Sequence, residues 1–160
     1  MKNQTSRYDI LFTRKSSHLI KAQEFRQKIF RKSENGLDED EFDYNCVHCL
    51  LFDRADGGKL VLVFRIANFS SMSNIVNSYS AQFYDLTDIT NFSYNPMELG
   101  RFCVDPTSKD PFLVLTAMKF LFGYIKENKR NFLFGCSSFE GCDPKSHLES
   151  FSYLKSIYQE

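Results

Sequence analysis

The sequence has no tryptophan, no net charge, only four prolines and no hydrophobic run long enough to cross a bilayer. Its longest apolar stretch, from Pro111 to Ile125, is short and is interrupted by Lys119, which excludes a membrane-spanning helix there. The N-terminal MKNQTSRYDI has no apolar run behind its basic residues, so we expect neither a secretory signal nor a transit peptide. We therefore expect a cytoplasmic protein, in which five cysteines, an odd number, argue against a disulfide framework.

What the chain does have is aromatic and hydrophobic mass. It contains 17 Phe and 8 Tyr, and 42% of its residues are hydrophobic. A chain of this length buries one sizeable core and rarely two. We expect a single domain over residues 1–160, with a phenylalanine-rich interior able to border an apolar tunnel.

Charge is distributed unevenly over the first third of the chain. Residues 1–32 contain nine Lys or Arg and two acidic residues, whereas residues 33–56 contain eight acidic residues and one Arg. A basic element could dock an acidic partner, and the acidic segment could attract a cationic substrate. Two solvated faces that offset each other are the alternative.

Periodicity and turn residues predict eight elements in the order strand, helix, three strands, helix, strand, helix. Residues 32–45 and 68–80 are predicted as loops, the second a mobile loop or lid. With no internal repeat, this order predicts one α/β domain with a mixed sheet. The predicted strands are Tyr8 to Thr13, about Cys46 to Phe52, Leu60 to Ala67, Met97 to Val104 and Asn131 to Phe139; the predicted helices run from Ser16 or Ser17 to about Lys32, from a cap at Asp110 with Pro111 in the first turn, and from Asp143 and Pro144.

The octapeptide MELGRFCV places Glu98 and Arg101 in an apolar strand. On a regular strand the two side chains would point to opposite faces. Gly100 between them is typical of a β-bulge, which would re-aim one side chain. Burial of Glu98 would favour its protonated form and make it a better base near neutral pH. A buried ion pair between Glu98 and Arg101 is the alternative.

Two further features concern charge and metal. Arg26 lies on the apolar stripe of the first predicted helix, so it must snorkel or meet a buried carboxylate or a ligand. Cys46 and Cys49 have the CxxC spacing of some zinc sites. Residues three apart on one strand face opposite sides of the sheet, so these two cysteines could not bind one ion together. We expect no metal site.

Six segments, in their order and spacing, resemble the GNAT superfamily. The resemblance is to its branch of ornithine acyl-carrier-protein N-acyltransferases, the hemolysin-like acyltransferases, and to their relatives the acyl-homoserine lactone synthases. It implies a GNAT-like α/β fold with a mixed, mostly antiparallel sheet flanked by helices. The segments are AQEFRQKIF, DEFDYNCVHCLLFD, VFRIA, YSAQFYDLTDI, MELGRFCVDP and LFGCSSFEGCDP.

The resemblance also implies an activity. A 3-hydroxy fatty acyl group would move from the 4′-phosphopantetheine thioester of an acyl carrier protein to the amino group of ornithine or a similar amino acid. This reaction is the first step of ornithine lipid synthesis and needs no tightly bound cofactor. The implied partners are the carrier protein and the amino acid, with a peripheral contact with the inner membrane left open and no nucleic acid.

The resemblance assigns roles to particular residues. Glu98 would act near the amine with Arg101 as its motif partner, and His48 is the other candidate base. For His48, a hydrogen-bonded core residue is the alternative. Substrate-binding roles fall on Arg26, Asp43, Arg65, Phe102 and Cys103, although structural ion pairing would also explain each charged member.

The chemistry needs two further groups. Backbone N–H groups freed by a bulge between Gly100 and Cys103 could bind the oxyanion. Tyr153 on the last helix could protonate the departing thiolate, or it could simply face the core.

The turn DPTSKDPF bears on the acyl donor. Coenzyme A needs clustered backbone N–H groups at a helix N-terminus, yet this turn has no glycine, two prolines and two aspartates. That pattern favours an acyl carrier protein. The basic first helix could attract this acidic partner, or it could be an ordinary solvated face; its basic residues are Lys21, Lys28, Arg31 and Lys32.

Two other functions remain open. An acyl-homoserine lactone synthase would use S-adenosylmethionine, but those enzymes commonly have a tryptophan in the N-terminal segment, and this chain has none. A degenerate, non-catalytic member that only binds acyl carrier protein or lipid is the other alternative.

Overall fold

The computed structural model describes residues 2–5, 7–137 and 143–158. The last two residues of the strand predicted at 131–139 lie outside these ranges. No described helix is long and apolar enough to cross a membrane. The described strands are β1 (Lys2–Gln4), β2 (Tyr8–Thr13), β3 (Val47–Asp53), β4 (Lys59–Asn68), β5 (Pro96–Val104) and β6 (Phe132–Phe134), and the α-helices are α1 (Ser16–Phe30), α2 (Leu113–Glu127) and α3 (Leu148–Tyr158).

The strands form one sheet in chain order. Neighbouring strands are antiparallel except β5 and β6, which are parallel. The prediction of a mixed, mostly antiparallel sheet is therefore confirmed. β1 was not predicted, because its three polar residues carry no alternation of apolar side chains.

α1 and α2 cover opposite faces of the sheet. Beneath α1, Ala22 packs with Leu50, Val63 and Cys103. Beneath α2, the stripe of buried residues at positions 113, 117, 121 and 124 packs against the strand side chains that alternate with the first set, as expected for a helix with one apolar face.

α2 begins later than its sequence predicts. Asp110 does not cap the helix: its carboxylate accepts the N–H of Phe112 at 2.9 Å and the hydroxyl of Tyr8. These bonds close a turn at residues 110–112, so the helix begins at Leu113. Asp110 thereby ties the start of α2 to β2.

The segment between β4 and β5, predicted in part as a mobile loop, contains short 3₁₀ helices at Met72–Asn77, Ser80–Gln82 and Asp88–Asn91. Met72 and Ile75 are fully buried. These two side chains anchor the segment beside the sheet.

The sheet opens between its two parallel strands. β6 pairs only with Pro96–Glu98 at the start of β5. Immediately beyond, Gly135 passes so close to Leu99 that a Cβ on the glycine would lie 2.2 Å from the Leu99 carbonyl oxygen. From Leu99 onward β5 therefore lacks a partner in β6, and a groove opens there.

We expect Gly135→Ala to disturb this opening. The added Cβ would overlap backbone, which cannot rotate away, so unfolding in urea should show a loss of about 1–3 kcal/mol. Gly123→Ala is the matched control: nothing lies within 4 Å of a Cβ at that helical position, and stability should rise by about 0.5–1 kcal/mol. Equal effects of the two substitutions would contradict the close approach.

Candidate active site

A β-bulge lies at the centre of the opened strand. β4 has one residue, Phe64, where β5 has two, Arg101 and Phe102, and Arg101 has a φ of 52°. The predicted bulge is confirmed, although the left-handed conformation falls on Arg101 and not on Gly100. The bulge turns the side chain of Arg101 towards the cavity that Glu98 also lines.

Gly100 leaves space for the side chain of Arg65 on the neighbouring strand. A Cβ at this position would lie 3.4 Å from Nε of Arg65 and 3.7 Å from its Cγ. The missing side chain leaves room for the Arg65 guanidinium to lie over β5.

A buried carboxylate, Asp43, joins the first helix to the sheet. It accepts Nη2 of Arg26 at 2.6 Å, Nη1 of Arg65 at 2.7 Å and Nε2 of Gln23 at 3.0 Å. Burial opposes ionisation of Asp43, but the hydrogen bonds from Arg26, Gln23 and Arg65 outweigh it and hold the pKa of the carboxyl well below its usual range. Asp43 is therefore a buried anion between two guanidinium groups.

Asp38 and Asp40 extend this ionic network to β5. Asp38 lies 3.0 Å from Nε of Arg26 and 3.3 Å from Nε of Arg101. Asp40 lies 2.9 Å from Nη2 of Arg101 and also binds Nη1 of Arg65. Neither aspartate was predicted to have a role. The sequence shows that this segment is acidic, but charge alone does not indicate which of its carboxylates are buried.

Glu98 stands outside the network. It is 5% exposed and accepts the N–H of Tyr79 at 3.2 Å and the N–H and hydroxyl of Ser80 at 2.7 and 2.6 Å. The alternative of a Glu98–Arg101 ion pair is wrong, because Arg101 forms its ion pairs with Asp38 and Asp40. Three donors from the segment after β4 fix the carboxylate instead.

His48 lies behind the network. Its ring is 2% exposed, and Nε2 donates to the carbonyl oxygen of Asp43 at 2.9 Å. Burial lowers the pKa of His48, which favours the neutral ring. His48 does not line the cavity, so its position suits orienting the Asp43 backbone.

The groove forms a cavity of about 750 Å³. Aromatic rings supply much of its wall, and Phe102 also stacks on Phe64 with ring centroids 5.6 Å apart. The aromatic lining residues are Phe30, Tyr79, Phe83, Tyr84 and Phe102. Of the residues predicted to form the site, those that line the cavity are Glu98, Arg101, Arg65 and Phe102. Those that do not line it are Arg26, Asp43, His48 and Cys103.

Other predicted residues lie elsewhere. Cys103 is packed beneath α1, and burial raises the pKa of its thiol to about 12. Tyr153 is 66% exposed on α3; it faces neither the core nor the cavity. Within residues 2–5, 7–137 and 143–158, no group of His, Cys, Asp and Glu is arranged to hold a metal ion.

The turn between β5 and α2 is closed by its own carboxylates. Asp105 accepts the N–H of Thr107 at 2.8 Å and the ammonium of Lys59 at 2.7 Å. Asp110 accepts the N–H of Phe112. Two N–H groups that a phosphate could use are thus already bonded to anions.

A mixed sheet that opens between two parallel strands beside a bulge defines an N-acyltransferase fold. The chain belongs to the GNAT family, because the family model for the acetyltransferase (GNAT) domain matches residues 20–118. The fold predicted from the sequence is thereby confirmed.

Curated proteins and solved structures are similar to the chain, and two of each are described below. The L-ornithine N(alpha)-acyltransferase of Rhodobacter capsulatus is 27% identical over 92% of the chain, and that of Brucella abortus is 28% identical over 73%. The chain spans 62% and 44% of the lengths of these relatives.

Both structures show the same fold at low identity. FeeM, an N-acyl amino acid synthase from uncultured soil microbes, has a TM-score of 0.59 and 17% identity, over 94% of this chain and 78% of its own. Glucosamine-6-phosphate N-acetyltransferase from Arabidopsis thaliana has a TM-score of 0.50 and 14% identity, over 93% and 91%.

We expect Asp43→Asn to destabilise the fold severely. The substitution leaves two buried guanidinium groups without their shared anion, which should cost about 3–5 kcal/mol in urea unfolding. Glu34→Gln is the control, because Glu34 pairs with Lys28 at 2.7 Å on the surface and its loss should cost less than about 1 kcal/mol. Similar small losses in both variants would contradict a central role for Asp43.

The free energy of unfolding should decrease as the pH is lowered, because of His48. The folded protein binds a proton at His48 less readily than the unfolded chain does, so stability is lost as pH falls below about 6.5, by at most about 1.4 kcal/mol per pH unit. His48→Gln keeps an N–H donor and removes the titration, so unfolding free energies between about pH 7 and 5 should vary less steeply.

His18 provides the comparison for this pH dependence. Burial lowers its pKa too, but the side chain is only half-buried. His18→Gln should therefore flatten the pH profile less than His48→Gln does. If His48→Gln left the pH dependence of the unfolding free energy unchanged, His48 would not be its source.

Proposed function

We propose that the chain carries an N-acyltransferase that moves a 3-hydroxy fatty acyl group from an acyl carrier protein to the amino group of ornithine. The observation that carries the proposal is the aromatic cavity beside the β5 bulge, with the Glu98 carboxylate fixed in its wall. The names of the curated relatives, each an L-ornithine N(alpha)-acyltransferase, support the acceptor.

In the proposed reaction the acceptor nitrogen attacks the thioester carbonyl. Glu98 takes a proton from the ammonium, directly or through one water, so that the nitrogen has a free electron pair. The C–N bond forms and the C–S bond breaks; the departing thiolate takes the second proton that the nitrogen loses, and Glu98 passes its own proton to solvent. The products are the N-acyl amino acid and the thiol of the carrier protein.

The bulge supplies donors for the intermediate. Backbone N–H groups at Arg101 and Phe102, on a strand that has no partner in β6 beyond Glu98, could bind the oxyanion. Arg101 itself acts as a positioning residue, since its ion pairs with Asp38 and Asp40 hold the bulge in place.

Two features support a carrier protein as acyl donor. The β5–α2 turn offers Asp105 and Asp110 where a coenzyme pyrophosphate would need free N–H groups. The end of α1, with Phe30 and Arg31, borders the cavity. A carrier protein attracted to the basic α1 could therefore reach the cavity with its phosphopantetheine arm.

The proposal includes a peripheral contact with the membrane. The outer side of α2 and its preceding turn expose Phe112, Leu115 and Phe122, with Lys119 and Lys126 exposed among them. Apolar and cationic side chains on one helix face suit an anionic bilayer surface. We place the membrane contact on this face.

The test supplies the purified chain with ornithine and either 3-hydroxyacyl carrier protein or the matching acyl-coenzyme A, and measures products by mass spectrometry. N-acylornithine should form, with the carrier protein preferred. Glu98→Gln should lower kcat about 10²- to 10⁴-fold near neutral pH, whereas Glu127→Gln at the exposed end of α2 should not.

Three outcomes would overturn parts of this proposal. Absence of N-acylornithine with both donors would refute the activity. An acyl-homoserine lactone formed from S-adenosylmethionine in its place would indicate the synthase. Full activity of Glu98→Gln would remove Glu98 from the mechanism.

A further inference from the structure

One guanidinium nitrogen of Arg65 has no hydrogen-bond partner among the described residues. Nη1 binds both Asp40 and Asp43, whereas Nη2 is this buried nitrogen. The residue is 3% exposed, and an unpaired donor on a buried cation costs free energy unless a ligand satisfies it. Arg65 lines the cavity, so the ligand can come from there.

The approach to Arg65 lies over Gly100. The ring of Tyr79 lies 5.3 Å and that of Phe42 5.9 Å from the guanidinium carbon, which closes two sides. Over Gly100, which also lines the cavity, a Cβ would meet only Arg65 atoms within 4 Å. A small group in the cavity can thus reach the guanidinium across the glycine.

The position of Arg65 relative to Glu98 suits an α-amino acid. Arg65 pairs with Gly100 across the β4–β5 ladder, so Glu98 is its diagonal neighbour, two residues along β5. Such positions lie about 7–8 Å apart. A carboxylate held by Arg65 would therefore bring the amine on the same carbon towards Glu98.

The ligand should be an anion with an oxygen that can accept a hydrogen bond from Nη2. Guanidinium groups prefer carboxylates, and a donor on a charged group forms stronger hydrogen bonds than a neutral one. The nearby aspartates do not satisfy Nη2: they pair with Nη1 of Arg65 or with Arg26 and Arg101, and none forms a hydrogen bond with Nη2. The acceptor amino acid provides the missing carboxylate.

We propose that Nη2 of Arg65 binds the α-carboxylate of the acceptor, and that this contact directs acylation to the α-amine. The inference rests on the proposed N-acyltransferase activity and adds the residue that recognises the carboxylate of the acceptor. The oxyanion of the intermediate formed from the thioester could also accept a hydrogen bond from Nη2. The experiments below distinguish the acceptor's carboxylate from this oxyanion.

The first experiment uses the unaltered protein with a fixed acyl carrier protein thioester and three acceptors: ornithine, ornithine amide and 1,4-diaminobutane. Loss of a charge-assisted hydrogen bond should lower kcat/KM about 10- to 100-fold for the two acceptors without a carboxylate. The ornithine product should carry its acyl group on the α-nitrogen, as fragmentation in mass spectrometry would show.

The second experiment uses Gly100→Ala, which keeps every ion pair. The added Cβ would be in ordinary contact with Nε of Arg65 and would narrow the approach, so KM for ornithine should rise about 10-fold with kcat little changed. KM for 1,4-diaminobutane should stay the same. Gly123→Ala on α2 is the matched control and should change neither constant.

Arg65→Lys completes the test, because it keeps a charge for the aspartates and removes the guanidinium fork. The variant should bring ornithine and its amide to similar kcat/KM values. Its melting temperature shows whether it folds; if it does not, Gly100→Ala decides alone.

Each outcome separates the two proposals. No product with any acceptor refutes the acyltransferase activity itself. Equal use of all three acceptors leaves the activity intact and refutes the carboxylate contact. A fall in kcat in Gly100→Ala that is the same for every acceptor, with KM unchanged, would assign Nη2 to the oxyanion and also refute it.

Discussion

The buried carboxylate of Asp43, held between Arg26 and Arg65, is the interaction on which the rest of the structure depends. Each of these charges alone would cost several kcal/mol to bury, so each is tolerated only because the others are present. The contact joins α1 to β4 through the acidic segment. Asp38 and Asp40 then carry the same network to Arg101 on β5, which retains its left-handed conformation beside the opened strand.

The network also divides the cavity into two kinds of wall. One side is ionic and belongs to elements that are packed into the core. The other is the segment around Tyr79 and Ser80, which holds Glu98 through two backbone N–H groups and a hydroxyl. A carboxylate held this way keeps its place without a cationic partner, as the proposed reaction with an ammonium group requires. The guanidinium groups of Arg26, Arg65 and Arg101 are meanwhile paired with aspartates, and Nη2 of Arg65 has no hydrogen-bond partner among the described residues.

The regular elements could be predicted from the sequence because they depend on local periodicity, and the bulge could be predicted from Gly100 within an apolar strand. The partners of Arg101 and Arg26 could not. Arg101 binds Asp40, 61 residues earlier in the chain, and Arg26 binds Asp43, 17 residues later; no spacing rule covers such distances. Proximity within MELGRFCV suggested a Glu98–Arg101 pair, whereas the bulge and the acidic segment decided the actual pairing. Ser80 gave no signal at all, since its role comes from the fold alone.

In the proposed function, the approach of the acyl donor depends on which groups near the cavity are already paired. At the β5–α2 turn, Asp105 and Asp110 bind the backbone, and Arg7 lies 3.3 Å from Asp110, so this end of the sheet is internally neutralised. An anion arriving there meets two carboxylates, which already accept the N–H groups of Thr107 and Phe112. Beside the cavity, α1 ends with Phe30 and the exposed Arg31, which both line it. In the proposed function, a carrier protein that contacts α1 would supply the binding energy for the acyl donor, and its phosphopantetheine arm would carry the thioester to the bulge.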